Sequence, residues 1–270
     1  MKSINNVAKD VAILVMSCDA YSDVWEGFSV CINKYWSDCP YPIFLSSESI
    51  DAPNNLVFEK TIHTNTTTWS SRLRESLLQL KQDIVMLVLD DIWLSKEVSN
   101  AEVSTAVAFL NEPLVGVVRL SAPRVSAYPY ANNADYLEIP FGQPYRISTA
   151  PAFWKKEALL SVLENTESAW EFERLGSFRE TSKDFKVLCT KKELYTFLCD
   201  AGAVSRGKYN RKVIAFSKEN NISIDLSKRR VISRLDQIKT GIRSFLYNIN
   251  PKGIVKLQNN LYRLKQKKTR

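Results

Sequence analysis

A chain of 270 residues, 45% hydrophobic and 24% charged, matches ordinary soluble globular proteins and is long enough to bury a sizeable core. No apolar run approaches the roughly 20 residues of a membrane span. Five scattered cysteines, with no CxxC pair, argue against a disulfide framework or a structural zinc site, and a lone His63 argues against a histidine-rich metal centre. The net charge of +8 hides a division: residues 205–270 hold 18 Lys+Arg against 3 Asp+Glu, or +15, which leaves −7 on residues 1–204. An acidic body with a basic tail is two electrostatic objects, and only the tail invites a polyanionic partner.

Taken in chain order, the opening MKSINNVAKDVAILVMSCDAYSD reads as a strand, VAILVMS at 11–17, and not as a signal peptide, because its apolar stretch is short and leads into acids. Residues 22–36 place Val24, Trp25, Phe28, Cys31, Ile32, Tyr35 and Trp36 at helical spacing, with Ser22 or Asp23 able to cap the helix. YPIFLSS (41–47) predicts a second strand and LVFEK (56–60) a weaker third. The polar loop TNTTTWSS (64–71) opens an amphipathic helix over 70–82, followed by DIVMLVLDD, a strand buried on both faces. A helix over 100–112 and a strand over 113–121 come next. Residues 128–144 predict a long loop or irregular hairpin, 145–150 a strand, 151–164 a helix with Pro151 near its start, and 167–177 a short helix. Alternating strands and helices imply an α/β fold with a mostly parallel sheet flanked by helices.

Asp90 and Asp91 end the most apolar strand. In open α/β sheets ligands bind beyond the carboxyl ends of the strands, and two carboxylates there can hold a hard divalent cation that in turn holds a diphosphate. The competing reading is a helix cap beside an exposed turn acid.

The segments SCDAYSDVW, WSSRL, LVLDD, WEFE and SRGKYN, in that order and spacing over about residues 10–215, resemble bacterial GT-A-type glycosyltransferases of capsule and O-antigen biosynthesis. The resemblance implies a GT-A-like, Rossmann-like domain over 1–215 and a basic amphipathic helical tail over 216–270. It implies transfer of a sugar from a nucleotide diphosphate sugar to a glycan or glycolipid acceptor. Ser17, Asp19 and Asp23 would receive the base and ribose. Arg72, at a helix start, with Arg206 and Lys208 around Gly207, would face the diphosphate. Asp90 and Asp91 match the family's acidic signature with a departure, since Ile92 stands where the second acid is usual. Metal dependence is therefore open: Asp91 alone or with Asp90 could ligate Mg²⁺ or Mn²⁺, or Asp90 could bind donor hydroxyls. WEFE resembles the segment that supplies the general base in inverting enzymes, which favours Glu173, with Glu171 as alternate. Retaining transfer would need no such base.

The tail interleaves Ile, Leu, Phe and Tyr with Lys and Arg, and Pro251-Lys252-Gly253 divides it into two predicted helices. Such a helix fits the anionic inner face of the cell membrane, where a lipid-linked acceptor would be met, and each basic residue there contributes about 1 kcal/mol. No nucleic-acid motif accompanies the charge, so nucleic acid is not the expected partner. The rival function is a non-catalytic α/β module recruited by its tail.

Overall fold

The computed structural model describes residues 10–131, 133–199, 202–234 and 236. Its elements are β1 (Val11–Met16), α1 (Trp25–Tyr35), β2 (Ile43–Ser47), β3 (Lys60–His63), α2 (Trp69–Gln79), β4 (Ile84–Leu89), α3 (Asn100–Ala108), β5 (Val115–Arg119), β6 (Tyr128–Tyr130), β7 (Asn133–Ile139), β8 (Ala152–Lys155), α4 (Lys156–Ser161), α5 (Ala169–Gly176), β9 (Lys186–Thr190), β10 (Val204–Ser205), β11 (Lys208–Tyr209) and α6 (Arg211–Glu219). A nine-stranded sheet runs β3-β2-β1-β4-β8-β5-β9-β7-β6. All but β7 and β8 point the same way, so the mostly parallel α/β sheet expected from the sequence is the fold observed.

Helices cover both faces. Val11, Ile13 and Val15 of β1 join one core with Trp25, Phe28 and Ile32 of α1, Val103 of α3 and Phe216 of α6. Leu14 and Met16 join the other with Leu73 and Leu77 of α2, Leu159 of α4 and Phe172 of α5. The two-residue alternation of a strand thus feeds two separate cores. Each such side chain, fully buried, stabilises the fold by about 1.5–3 kcal/mol relative to exposure.

Several local expectations need correction. The helix predicted from Ser22 begins at Trp25 after a 3₁₀ turn over Asp19–Val24, and neither Ser22 nor Asp23 caps it. The third strand is Lys60–His63, one step beyond LVFEK, because pairing with β2 starts at Lys60. Residues 145–150 are no strand: Tyr145 takes φ +56°, a left-handed conformation costly for a bulky residue. The strand follows at Ala152–Lys155, where a helix was expected, and runs antiparallel between β4 and β5. The 128–144 stretch forms the irregular hairpin β6–β7.

The boundary expected at 215/216 falls within α6. Beyond α6 the chain still packs on the body: Tyr209 N–H donates to Arg230 O and Ile232 N–H to Tyr209 O, both at 2.9 Å, and Val231 pairs with Tyr209. The predicted helices of the tail from residue 237 onward, with their proposed membrane contact, lie outside the described residues. Among the described residues no helix is long and apolar enough to cross a membrane.

Candidate active site

The carboxyl edge of the sheet gathers the ends of β1, β2, β4 and β5. Because β8 runs the other way, its beginning lies at that edge too: Ala152 pairs with Leu87 on one side and Arg119 on the other. Residues just before Ala152 therefore stand beside those that follow Leu89. Three clusters occupy this edge.

The first is built on β1 and β4. Asp90 is only 4% exposed. The Ser17 hydroxyl donates a short hydrogen bond to Asp90 Oδ2, and Trp25 Nε1–H donates to Ser17 Oγ at 2.6 Å. Asp91 lies against Gly202, whose φ of +79° and missing side chain make room for it: a Cβ there would sit 2.8 Å from Asp91 Cγ and closer still to Oδ2. The chain at 202–204 also grips Asp91 by its backbone, with Ala203 N–H donating to Asp91 O at 2.6 Å and Val204 N–H reaching its carboxylate. Burial pushes both carboxyls up, Asp91 to about 7 and Asp90 well above its usual range, the latter reinforced by the charge of Asp91. Ile92, next in the chain, serves the fold: its carbonyl accepts from Tyr195 OH at 3.3 Å.

Behind this pair stands a cation that sequence reasoning assigned to the tail. Arg229 Nε–H donates to Asp23 Oδ2 at 2.7 Å, and its guanidinium lies 4.0 Å from the Tyr21 ring centroid. It also donates to the Ala20 carbonyl. Its charge lowers the pKa of both Asp90 and Asp91, against the larger effect of burial. Asp23 additionally accepts from Tyr209 OH at 2.6 Å and pairs with Lys228 Nζ at 3.2 Å. Placed in the sequence reading beside a ribose, Asp23 is instead the buried anchor of the 228–232 segment. The signal was the pair Arg229-Arg230 beside the apolar Val231 and Ile232.

The second cluster joins β1, β2 and α2. Asp19 Oδ1 accepts from the backbone N–H groups of Glu48, Ser49 and Ile50 at 3.1–3.2 Å, and Oδ2 from Ser49 Oγ at 2.5 Å. Burial raises this carboxyl, yet the hydrogen bonds from Ser49, Ile50 and Glu48 prevail and bring it down to about 2. So Asp19, also read as a ribose ligand, holds the loop after β2. Arg72 NH1 donates to Glu48 Oε1 at 2.5 Å, while its Nε is buried without a protein partner. Thr68, not an acid, caps this helix. Cys18 links the two clusters: burial raises its thiol, with Asp90 and Glu48 adding to the effect and Arg72 opposing it.

The third cluster is at the start of β8. Glu173 Oε1 accepts three hydrogen bonds, from Ser148 Oγ at 2.9 Å, Thr149 N at 2.7 Å and Thr149 Oγ1 at 2.9 Å. Among the described residues none donates to Oε2. Arg119, buried at the end of β5, donates to Tyr145 O at 2.9 Å and feels the charge of Glu173. The sequence hides Ser148 and Thr149, because a strand over 145–150 would place their hydroxyls mid-sheet, and Arg119 lies within the predicted strand over 113–121, where nothing marks it as a site residue.

Other predicted site residues are elsewhere engaged. Glu171 closes a capping box with Ser168 at the start of α5, its Oε2 accepting from Ser168 N at 2.9 Å, so it is occupied in holding the helix. Arg206 and Gly207 form the tip of the β10–β11 hairpin, with φ of +51° and +73°, the handedness of a two-residue turn, and both are exposed. Lys208 pairs with Asp236 at 3.0 Å. Trp154 is buried against Phe172 and Phe185, whereas Trp170 is 76% exposed.

The acid pair could hold a hard cation: Asp90 and Asp91 are adjacent carboxyls just beyond the end of β4, and Mg²⁺-type ions bind through one or two carboxylates plus substrate phosphates. Among the described residues no group of three or more His, Cys, Asp or Glu side chains is placed to form a closed protein cage.

No family model and no curated protein sequence matches the chain. Solved structures with a similar course include S. aureus TarS 1-349, at 14% identity and a TM-score of 0.46 over 69% of this chain. This chain spans 59% of that fragment's length, and the fragment is also known in complex with UDP-GlcNAc. The mannosyltransferase PcManGT from Pyrobaculum calidifontis, in complex with GDP-Man and Mn²⁺, matches at 12% identity and a TM-score of 0.34, over 56% of this chain and 45% of its own. A CMP:2-keto-3-deoxy-manno-octonic acid synthetase complexed with CTP matches at 13% and 0.39, over 67% of this chain and 88% of its own.

Proposed function

We propose that this chain is a GT-A-like glycosyltransferase that moves a sugar from a nucleotide diphosphate sugar to a hydroxyl of a surface-glycan acceptor, with inversion. The observation that carries the reading is Glu173: one oxygen is held by three donors and the other receives none from the described residues, beside the sheet edge that also bears Asp90 and Asp91. A carboxylate fixed through one oxygen presents the second in a single direction, as a general base requires.

In the proposed reaction Glu173 Oε2 takes the proton of the acceptor hydroxyl as that oxygen bonds to the anomeric carbon. The bond from that carbon to the β-phosphate oxygen breaks, and the nucleoside diphosphate leaves with its electron pair. Asp91, with Asp90, would hold Mg²⁺ or Mn²⁺, which when bound supplies positive charge to the diphosphate. Arg72, paired with Glu48 at the same edge, would supply further positive charge from this chain. Donor ribose and base would lie over Ser17 and Cys18, between the first two clusters. The basic tail would keep the enzyme at the cytosolic membrane face beside a lipid-linked acceptor.

A thermal-shift panel of UDP-, GDP-, CMP- and dTDP-sugars, with and without Mn²⁺, tests this. One donor family should raise the melting temperature, more so with the ion. A flat panel under both conditions would remove the nucleotide sugar from the account and leave the α/β binding module.

A further inference from the structure

Tyr145 is bulky and yet takes φ +56°, in the left-handed region that favours glycine. Backbone strain of this kind persists only where the surroundings over-determine it, and it gathers at functional sites. Two consecutive residues hold the loop that begins there. Arg119, the last residue of β5, donates from its guanidinium to Tyr145 O at 2.9 Å, and Leu120 N–H donates to Pro151 O at 3.0 Å. The loop 145–151 is thus tied at both ends to the end of β5. It is also tied to the helix that carries Glu173: Ile147 N–H donates to Ser177 Oγ at 3.0 Å, and that hydroxyl donates to Glu173 O at 2.8 Å. Between these ties Ser148 and Thr149 supply the three hydrogen bonds to Glu173 Oε1. The sheet does not need a guanidinium at position 119. Its pairing with Ala152 and Cys189 is a matter of backbone, and an apolar side chain, like Val117 and Val118 in the same strand, would be buried at lower cost.

We propose that Arg119 is a positioning residue for Glu173: by holding the Tyr145 carbonyl it keeps the loop in the conformation that brings Ser148 and Thr149 onto Glu173 Oε1. This rests on the glycosyltransferase reading and extends it to a residue that touches no substrate. Without the guanidinium, Tyr145 is free to return to the ordinary region of negative φ, and the chain that follows it is aimed elsewhere. Ser148 and Thr149 come three and four residues later, so they move with it. Glu173 then loses its fixed direction, and a misplacement of about 1 Å at a reacting group can cost about 10²-fold in rate. The tie at Pro151 is made by backbone beside the sheet and survives, so the fold is kept while the base is loosened.

The test uses the full-length protein and two measurements. In hydrogen exchange, the amides of Ile147, Thr149 and Ala150, all bonded within this cluster, should exchange about tenfold faster or more in Arg119→Met than in wild type, while those of β1 and β4 keep their protection. In transfer assays with the donor that stabilises the protein, Arg119→Met should lower kcat by about tenfold or more and leave the donor KM unchanged. Arg119→Lys, which keeps a donor for the Tyr145 carbonyl, should recover part of both losses. Because Arg119 acts through Glu173, adding Arg119→Met to Glu173→Gln should lower the residual rate no further. Arg124→Met, which removes an exposed cation near Arg119, should change neither measurement. If Arg119→Met does not fold, Arg119→Gln enters the same comparisons. Unchanged exchange over 147–150 would overturn the proposal, and so would an equal fall in rate with and without the Glu173 carboxylate; both leave the transferase standing. The expected exchange in a wild type that transfers no sugar would overturn the transferase and leave Arg119 as the clamp of this loop.

Discussion

Gly202 and Gly207 offer a matched pair of perturbations. Both have φ between +70° and +80°, so alanine at either meets the same left-handed penalty, about 1–2 kcal/mol. At Gly207 nothing lies within 4 Å of the added Cβ, so that penalty is the whole effect. In a chain of this size it lowers the melting temperature by roughly 2–4 °C per kcal/mol. At Gly202 the new carbon also falls on the carboxylate of Asp91, which Val204 N–H reaches as well. Gly202→Ala should therefore be less stable than Gly207→Ala by about 1–3 kcal/mol, the cost of overpacking a filled site, and should lose nucleotide-sugar binding that Gly207→Ala retains. Urea denaturation and the thermal-shift panel measure the two quantities. Equal stability and equal donor binding in the two variants would show that Asp91 is not held where the structure puts it.

Arg229→Ala leaves Asp23 buried without its main partner, and breaking such a pair costs about 3–5 kcal/mol; a urea midpoint close to wild type would contradict the burial of that contact. The acid pair makes stability pH-dependent. Asp91 binds its proton more tightly folded than unfolded, so it contributes stability that is present below about pH 4 and is lost as pH rises through about 7. Asp91→Asn should flatten that stretch of the stability profile, and an unchanged slope would place the titration elsewhere. Ending the chain after residue 236 should keep the fold and abolish flotation with anionic liposomes. Ending it before Lys228 removes two partners of Asp23 and should destabilise the body as well. Flotation unaffected by the shorter truncation would contradict the membrane role of the tail.

The sheet was legible because β1 and β4 are continuous apolar runs that bury both faces, a pattern no surface element shares. The position of Asp90 and Asp91 followed from it. What the sequence hid was the antiparallel strand β8. Its four residues, AFWK, join directly to α4, and Pro151 reads equally well as a helix start or a strand boundary. With β8 misplaced, Ser148 and Thr149 had no address, although Glu173 did. The partners of Asp19 and Asp23 were hidden for another reason. Acids after a first strand suit a ribose by analogy, but their partners, the Glu48–Ile50 amides and Arg229, lie about 30 and 206 residues away in the chain, beyond any local pattern.

The most direct test of the account is nucleoside diphosphate release from the donor sugar that stabilises the protein, compared between wild type and Asp91→Asn. The wild type should release the diphosphate slowly without acceptor and faster with it, and Asp91→Asn should fall by about 10²–10³-fold, as expected when stabilisation of a leaving anion is lost. Equal release by both proteins would contradict a reaction at the carboxyl edge of this sheet.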